Sequence, residues 1–169
     1  MSISPFSRRM LCAIALALTA CTMPANGGSA AECTPGAGAG QSAAGIEQVI
    51  LCVTSTSKTR LFTVEVARTS AQQARGLMFR DALADNSGMI FPFPEPRVAS
   101  FWMKNTVIPL DIIFVRPDGT IESIADNTIP YSTIPVESGE PVAAVLELRG
   151  GRAAELGIAA GDTVKWTAK

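Results

Sequence analysis

Hydrophobic positions along the chain fall into short runs divided by turn-forming clusters, the spacing of a β-rich domain. Residues 49–53 and 61–67 are rich in β-branched and apolar side chains, and the Ser/Thr/Lys stretch 54–60 separates them, so they read as two strands. In the second, Phe62, Val64 and Val66 alternate with Thr63, Glu65 and Ala67, which predicts one buried and one wetter face. The period then changes. Ser70-x-x-Gln73 has the form of a capping box and predicts a short helix to about residue 79 or 81. Beyond the turn at Asn86-Ser87-Gly88, residues 89–93 and 98–104 read as two strands. Pro92, Pro94 and Pro96 divide them, because a central strand does not tolerate such a run. Residues 110–115 are the most strand-like of all, and Arg116-Pro117-Asp118-Gly119 turns the chain into a partner at 120–125. A Pro/Ser/Gly-punctuated loop, 126–141, leads to a strand at 142–148 and a short helix at 151–156 closed by Gly157. A last strand follows at 163–167. Seven or eight short strands with two short helices predict a mainly β fold, an antiparallel β sandwich or open barrel.

Upstream the pattern is different. After Ser7-Arg8-Arg9 comes a short apolar run that closes on Leu18-Thr19-Ala20-Cys21. A charged start, an apolar middle and a small-residue exit make a secretory signal, and roughly eleven apolar residues are too few for a bilayer span of about twenty. Leu-x-Ala-Cys resembles the bacterial lipoprotein box, in which the cysteine is lipidated and becomes the first mature residue; cleavage without lipidation is the alternative. Residues 1–20 are thus expected to be a signal peptide. Residues 21–46, rich in Ala, Gly, Ser, Thr and Pro, bury too little to offset their ordering entropy and read as a lipid-anchored tether. A single β-rich domain, 47–169, completes the chain. Thr22 after Cys21 resembles lipoproteins sent to the periplasmic face of the outer membrane.

Composition narrows the chemistry. With 14 basic and 15 acidic residues and no basic cluster, nucleic-acid binding is not expected. Histidine is absent, which excludes Ser-His-Asp and Cys-His nucleophile systems and histidine zinc sites. No metal or cofactor is expected. Cys12 lies in the signal and Cys21 is the lipidation candidate. Cys33 and Cys52 remain for a structural disulfide; a pair of free thiols is the rival reading, without Cys-x-x-Cys spacing to support it.

Several polar residues interrupt apolar surroundings. Asp111 sits in Leu110-Asp111-Ile112-Ile113-Phe114-Val115, and Glu147 in Val145-Leu146-Glu147-Leu148. A buried carboxylate must be paired, hydrogen-bonded or protonated. The two could form an acid/base pair, or each could be a structural acid, with Lys104 and Asn105 as nearby partners for Asp111. Arg80 suits the C-terminal end of the first helix, or, with Lys104, an anion site at one rim. Trp102 suits half-buried packing or a stacking platform.

Gly76-Leu77-Met78-Phe79-Arg80, Gly88-Met89-Ile90-Phe91, Phe101-Trp102-Met103-Lys104-Asn105-Thr106, Pro109-Leu110-Asp111, Val145-Leu146-Glu147-Leu148 and Gly161-Asp162 follow in order. Together they resemble the bacterial and archaeal family catalogued as domain of unknown function 192, over roughly residues 60–167. The resemblance implies a small, mostly β domain, often exported or membrane-attached, and no agreed activity or cofactor. The polar positions of the motif fall here on Arg80, Trp102, Lys104, Asn105, Asp111 and Glu147.

The expected function is that of a lipid-anchored envelope domain binding a small anionic ligand, a glycan or a partner protein through Arg80, Trp102, Lys104 and Asn105. An envelope hydrolase using Asp111 and Glu147 is the catalytic alternative. A structural module of an envelope assembly is the third, favoured by an exposed apolar patch around Trp102.

Overall fold

The computed structural model describes Met1 and residues 38–56 and 58–167. Its elements run β1 (Gly38–Gln41), β2 (Glu47–Ser55), β3 (Lys58–Val66), α1 (Ser70–Arg75), β4 (Ser87–Arg97), β5 (Ser100–Phe101), β6 (Leu110–Val115), β7 (Ile121–Ala125), β8 (Val136–Glu137), β9 (Val142–Arg149), α2 (Arg152–Leu156) and β10 (Thr163–Trp166). Eight strands form one sheet in the order β1-β2-β3-β4-β9-β6-β7, with β10 also on β2, while β5 and β8 make a separate pair. The pairing is antiparallel except between β3 and β4, where α1 carries the chain between two parallel strands. The sheet curls until the bridge Thr120↔Thr163 and the Val164 N–H to Gly119 carbonyl bond bring β7 toward β10. The barrel stays open.

Alternation along the strands sorts the core into two clusters. One gathers Val49, Leu51, Val53, Phe62, Val64, Ile113, Val115, Ile121, Leu146 and Val164 within the curl. The other gathers Met89, Phe91, Ile112, Phe114 and Val145 on the outer face, beneath Leu77, Ala99 and Met103. Both faces of the central strands are therefore covered, and every residue of β6 is buried. Glu65 and Ala67, expected on a wetter face, are buried for the same reason.

Three local differences from the sequence reading have physical causes. The helix is capped one residue earlier, by a Thr69/Gln72 capping box, and ends at Gly76 with φ 49°. The Gln73 amide, freed from that role, donates to the carbonyls of Ala67 and Pro92 and ties α1 to the sheet. Next, β4 runs unbroken through its prolines. Its parallel partner β3 ends at Val66↔Ile90, so beyond that point one edge of β4 needs no N–H donors, and a bulge between Pro92 and Arg97 absorbs the rest. Last, β1 lies inside the segment read as tether. It pairs with β2 through its backbone, which leaves no hydrophobic signature in Gly-Ala-Gly-Gln.

Gly88 marks the tightest approach in the sheet. A Cβ there would lie 2.5 Å from the Glu147 carbonyl oxygen and 2.9 Å from Leu148 Cδ2. Gly88→Ala is therefore expected to cost about 1–3 kcal/mol by overpacking. Urea denaturation checks this; an unchanged midpoint would mean that β4 and β9 are not this close.

Candidate functional site

Register places the key acids. Glu65 on β3 pairs with Met89 on β4, Met89 with Glu147 on β9, and Glu147 with Ile112 on β6. Directly paired residues share a face, so Glu65 and Glu147 both project from the outer side, with Met89 between them. Above them the chain leaving α1 makes two left-handed turns. Gly76 ends the helix, and Phe79, at φ 62°, reverses direction while its N–H donates to the Asn105 carbonyl at 2.9 Å. A left-handed Phe costs roughly 1–2 kcal/mol, which the docking of this turn on the 103–106 loop offsets. The result is to aim Arg80 at the sheet. Its guanidinium holds Glu65 in a two-pronged pair, Nη1 to Oε1 at 2.9 Å and Nη2 to Oε2 at 2.6 Å.

Glu147 has no such partner. It is 5 % exposed, and its Oε2 is buried without a hydrogen bond. Burial pushes its carboxyl up to about 8, against the opposing pull of the Arg80 guanidinium. At neutral pH it is thus mainly a neutral acid, able to donate as well as accept. Glu147 faces a cleft of about 370 Å³ walled by Gln73, Arg75, Gly76, Leu77, Phe91, Arg97, Phe101, Trp102 and Thr106, among others. Phe91 and Phe101 meet edge to face at 5.1 Å on its apolar wall. Trp102, half exposed, lies at the mouth with the Lys104 ammonium 5.2 Å from its ring centroid.

The proposed pairing of Asp111 with Glu147 does not survive this geometry. Asp111 pairs with Leu148, one residue on from Glu147, and so points to the opposite face of the sheet. There it is fully buried and fully bonded. Its Oδ1 accepts from the N–H groups of Asn127 and Gly151, each at 2.8 Å, and its Oδ2 from that of Ala153 at 2.7 Å. Gly151 gives α2 no side-chain cap of its own, so Asp111 caps the helix from forty residues away. The acid is structural, and neither Lys104 nor Asn105 is its partner.

Arg80 and Lys104 do not form the expected anion site either. The helix ends before Arg80, so Arg80 does not cap it, and both arms of Arg80 hold Glu65. Asn105 acts as a latch: it adopts φ 56°, accepts from Phe79, and places its amide 3.9 Å from Met78 Sδ. The sequence reading missed Glu65, Arg75, Arg97 and Gln73, none of which interrupts an apolar run. Cys52 is buried and disulfide-bonded. Cys33, expected as its partner, and Cys21, the lipidation candidate, lie outside the described residues. So do residues 2–20 of the signal and most of the tether. Among the described residues no helix is long and apolar enough to cross a membrane.

Comparison with known proteins gives the lineage. A solved protein of unknown function from Novosphingobium aromaticivorans DSM 12444 is 52 % identical, with a TM-score of 0.74, over 77 % of this chain and 93 % of that one. A solved protein from Sinorhizobium meliloti 1021, named for a proposed role in transcription regulation, is 40 % identical. Its TM-score is 0.69, over 71 % of this chain and 94 % of its own. Nothing among curated proteins matches the chain. The family profile described as Uncharacterized ACR matches residues 51–166, from the middle of β2 to the end of β10 and so across every residue of the cleft. The chain belongs to that family, domain of unknown function 192.

Proposed function

We propose that the chain is an exported, lipid-anchored envelope protein whose β domain binds a small ligand in the cleft above Glu147. One observation carries the binding half of this reading: a buried carboxyl with an unpartnered oxygen lines an open cleft. An unpaired buried polar atom costs about 1–3 kcal/mol, and a ligand atom that satisfies it recovers that cost. Binding is favoured over acid–base hydrolysis because Glu147 stands alone. Glu65 has both oxygens on Arg80, Asp111 faces the other side, and no other carboxylate lines the cleft among the described residues. The address rests on Leu18-Thr19-Ala20-Cys21 and the Gly/Ala-rich stretch that follows.

Native mass spectrometry of the intact protein, extracted gently from its own membranes, tests the binding half. A fraction of wild-type molecules is expected to carry a small extra mass. Ala74→Trp, an exposed α1 position whose new ring would fill the cleft, is expected to lose it. Identical bare masses for both would sink the reading. For the address, Cys21→Ser is expected to move the protein from the membrane to the soluble fraction; unchanged fractionation would reject the lipid anchor.

One observation favours a module of an envelope assembly as a second reading. Phe79, Trp102, Val107, Ile129, Tyr131 and Ile134 are all exposed, and they sit on loops tied together by the Met103–Ser132 and Tyr131–Thr106 backbone bonds. On that reading, Ile129→Asn with Ile134→Asn should shift the detergent-extracted protein to a smaller size on gel filtration. Unchanged elution would discard it.

A further inference from the structure

The cations of this domain are not evenly occupied. Arg68, Arg80, Arg116, Arg149 and Arg152 each pair with a carboxylate. Arg60, Arg75 and Arg97 have no ion pair among the described residues, and of these Arg75 and Arg97 line the cleft. Each is held at the wall by an aromatic ring instead. Arg75 lies 5.8 Å from the Phe79 ring centroid, and Arg97 lies 4.0 Å from that of Phe93. A ring face orients a guanidinium without neutralising it or occupying its N–H donors. Lys104, over Trp102, adds a further cation at the mouth.

The same cleft is lined by apolar side chains, Leu77, Phe91 and Phe101, and by the buried Glu147 carboxyl. We infer that the ligand is a small organic anion. Its apolar body would lie against Phe91, Phe101 and Trp102, and its anionic group would meet Arg75 and Arg97. An oxygen or N–H of the same molecule would supply the hydrogen bond that Glu147 Oε2 lacks. The inference rests on the cleft reading above and adds the charge of its occupant. Glu147 does not oppose an anion, since it is largely protonated at neutral pH, and Glu65, on the same face of the sheet, is already matched by Arg80. A neutral sugar would use the aromatic platform and the acid, but would leave two arginines unmatched.

Titration of the isotopically labelled domain, followed by amide NMR, separates these cases. The probes are 3-phenylpropanoate and its neutral amide, matched in shape and differing in charge. The anion is expected to shift the amide signals of Gly76, Leu77, Phe101 and Glu147, and to bind at least about tenfold more tightly than the amide. The double substitution Arg75→Met, Arg97→Met is expected to reduce that preference to less than about threefold; both side chains are at the surface, so the fold should persist. Equal or tighter binding of the amide at these residues would overturn the anion inference and leave the cleft reading standing. A preference that survives the double substitution would overturn the assignment to these arginines. No shift at the cleft from either probe, up to about 20 mM, would overturn both readings together.

Discussion

Asp111→Ala is expected to destabilise the domain by about 3–5 kcal/mol, a large share of the stability of a domain this size. The substitution strips three N–H groups, from Asn127, Gly151 and Ala153, of the acceptor they share, a carboxyl that is itself fully buried. It also removes the cap from α2, whose own N-cap residue, Gly151, supplies none. Asp111→Asn keeps one acceptor oxygen but points an amide donor at other donors, so a loss of about 2–3 kcal/mol is expected. Denaturant unfolding of both variants checks the order. A loss below about 1 kcal/mol for Asp111→Ala would mean that water reaches these groups and that the cap is dispensable. Ligand binding at the cleft should survive in the folded fraction, because Asp111 is on the other face.

Glu147→Gln should act in the opposite direction. The carboxyl of Glu147 is raised from an ordinary value of 4.5 to about 8 in the fold, so the folded state holds its proton more tightly than the unfolded chain. The stability it contributes is therefore full below about pH 4.5 and is lost as pH climbs through 8. At 1.36 kcal/mol per unit, this group can withdraw up to about 5 kcal/mol across that window. Glutamine keeps the shape and cannot ionise. The variant is expected to match the wild type near pH 4.5 and to exceed it by about 3–5 kcal/mol near pH 8.5. Asp118 and Glu155 are shifted downward by their hydrogen bonds and titrate in the acid range with the opposite sign, so the difference between the two proteins isolates Glu147. Parallel stability curves would show that the Glu147 carboxyl is solvated or paired in solution.

A residue that destabilises its own fold at physiological pH is the kind that natural sequences keep for a function. The same trade explains the cleft as a whole. Phe79 and Asn105 both hold left-handed backbone, and their mutual hydrogen bond sets Arg80 over Glu65. With Glu65 neutralised from above, the pocket keeps one uncommitted acid and two uncommitted cations.

How much of this was legible in the sequence depends on how each residue interrupts its surroundings. The strands of the curl announced themselves, because Phe62, Val64 and Val66 or Ile113 and Val115 repeat with period two. Asp111 and Glu147 were visible as acids within apolar runs, but their roles were not. Those depend on register: a shift of one residue between β6 and β9 decides whether the two share a face, and no local pattern encodes it. Glu65 was hidden by the same alternation that revealed Val64. It occupies the position of a solvent-facing residue in a strand whose second face is covered by α1 and the chain after it. Arg75 and Arg97 look like ordinary surface arginines until the helix and the proline-rich end of β4 bring them to one wall. The prolines misled for a related reason, since losing β3 at Ile90 turns an inner strand into an edge. Strand β1 could not be read at all, because Gly-Ala-Gly-Gln carries no hydrophobic alternation.

The most direct measurement is the titration of the Glu147 side-chain carboxyl carbon by NMR in the ligand-free domain, with Glu147→Gln assigning the signal. A midpoint near 8 is expected, moving when 3-phenylpropanoate fills the cleft. A midpoint at the ordinary 4.5, unmoved by the probe, would contradict an unpartnered buried acid at the floor of a binding site.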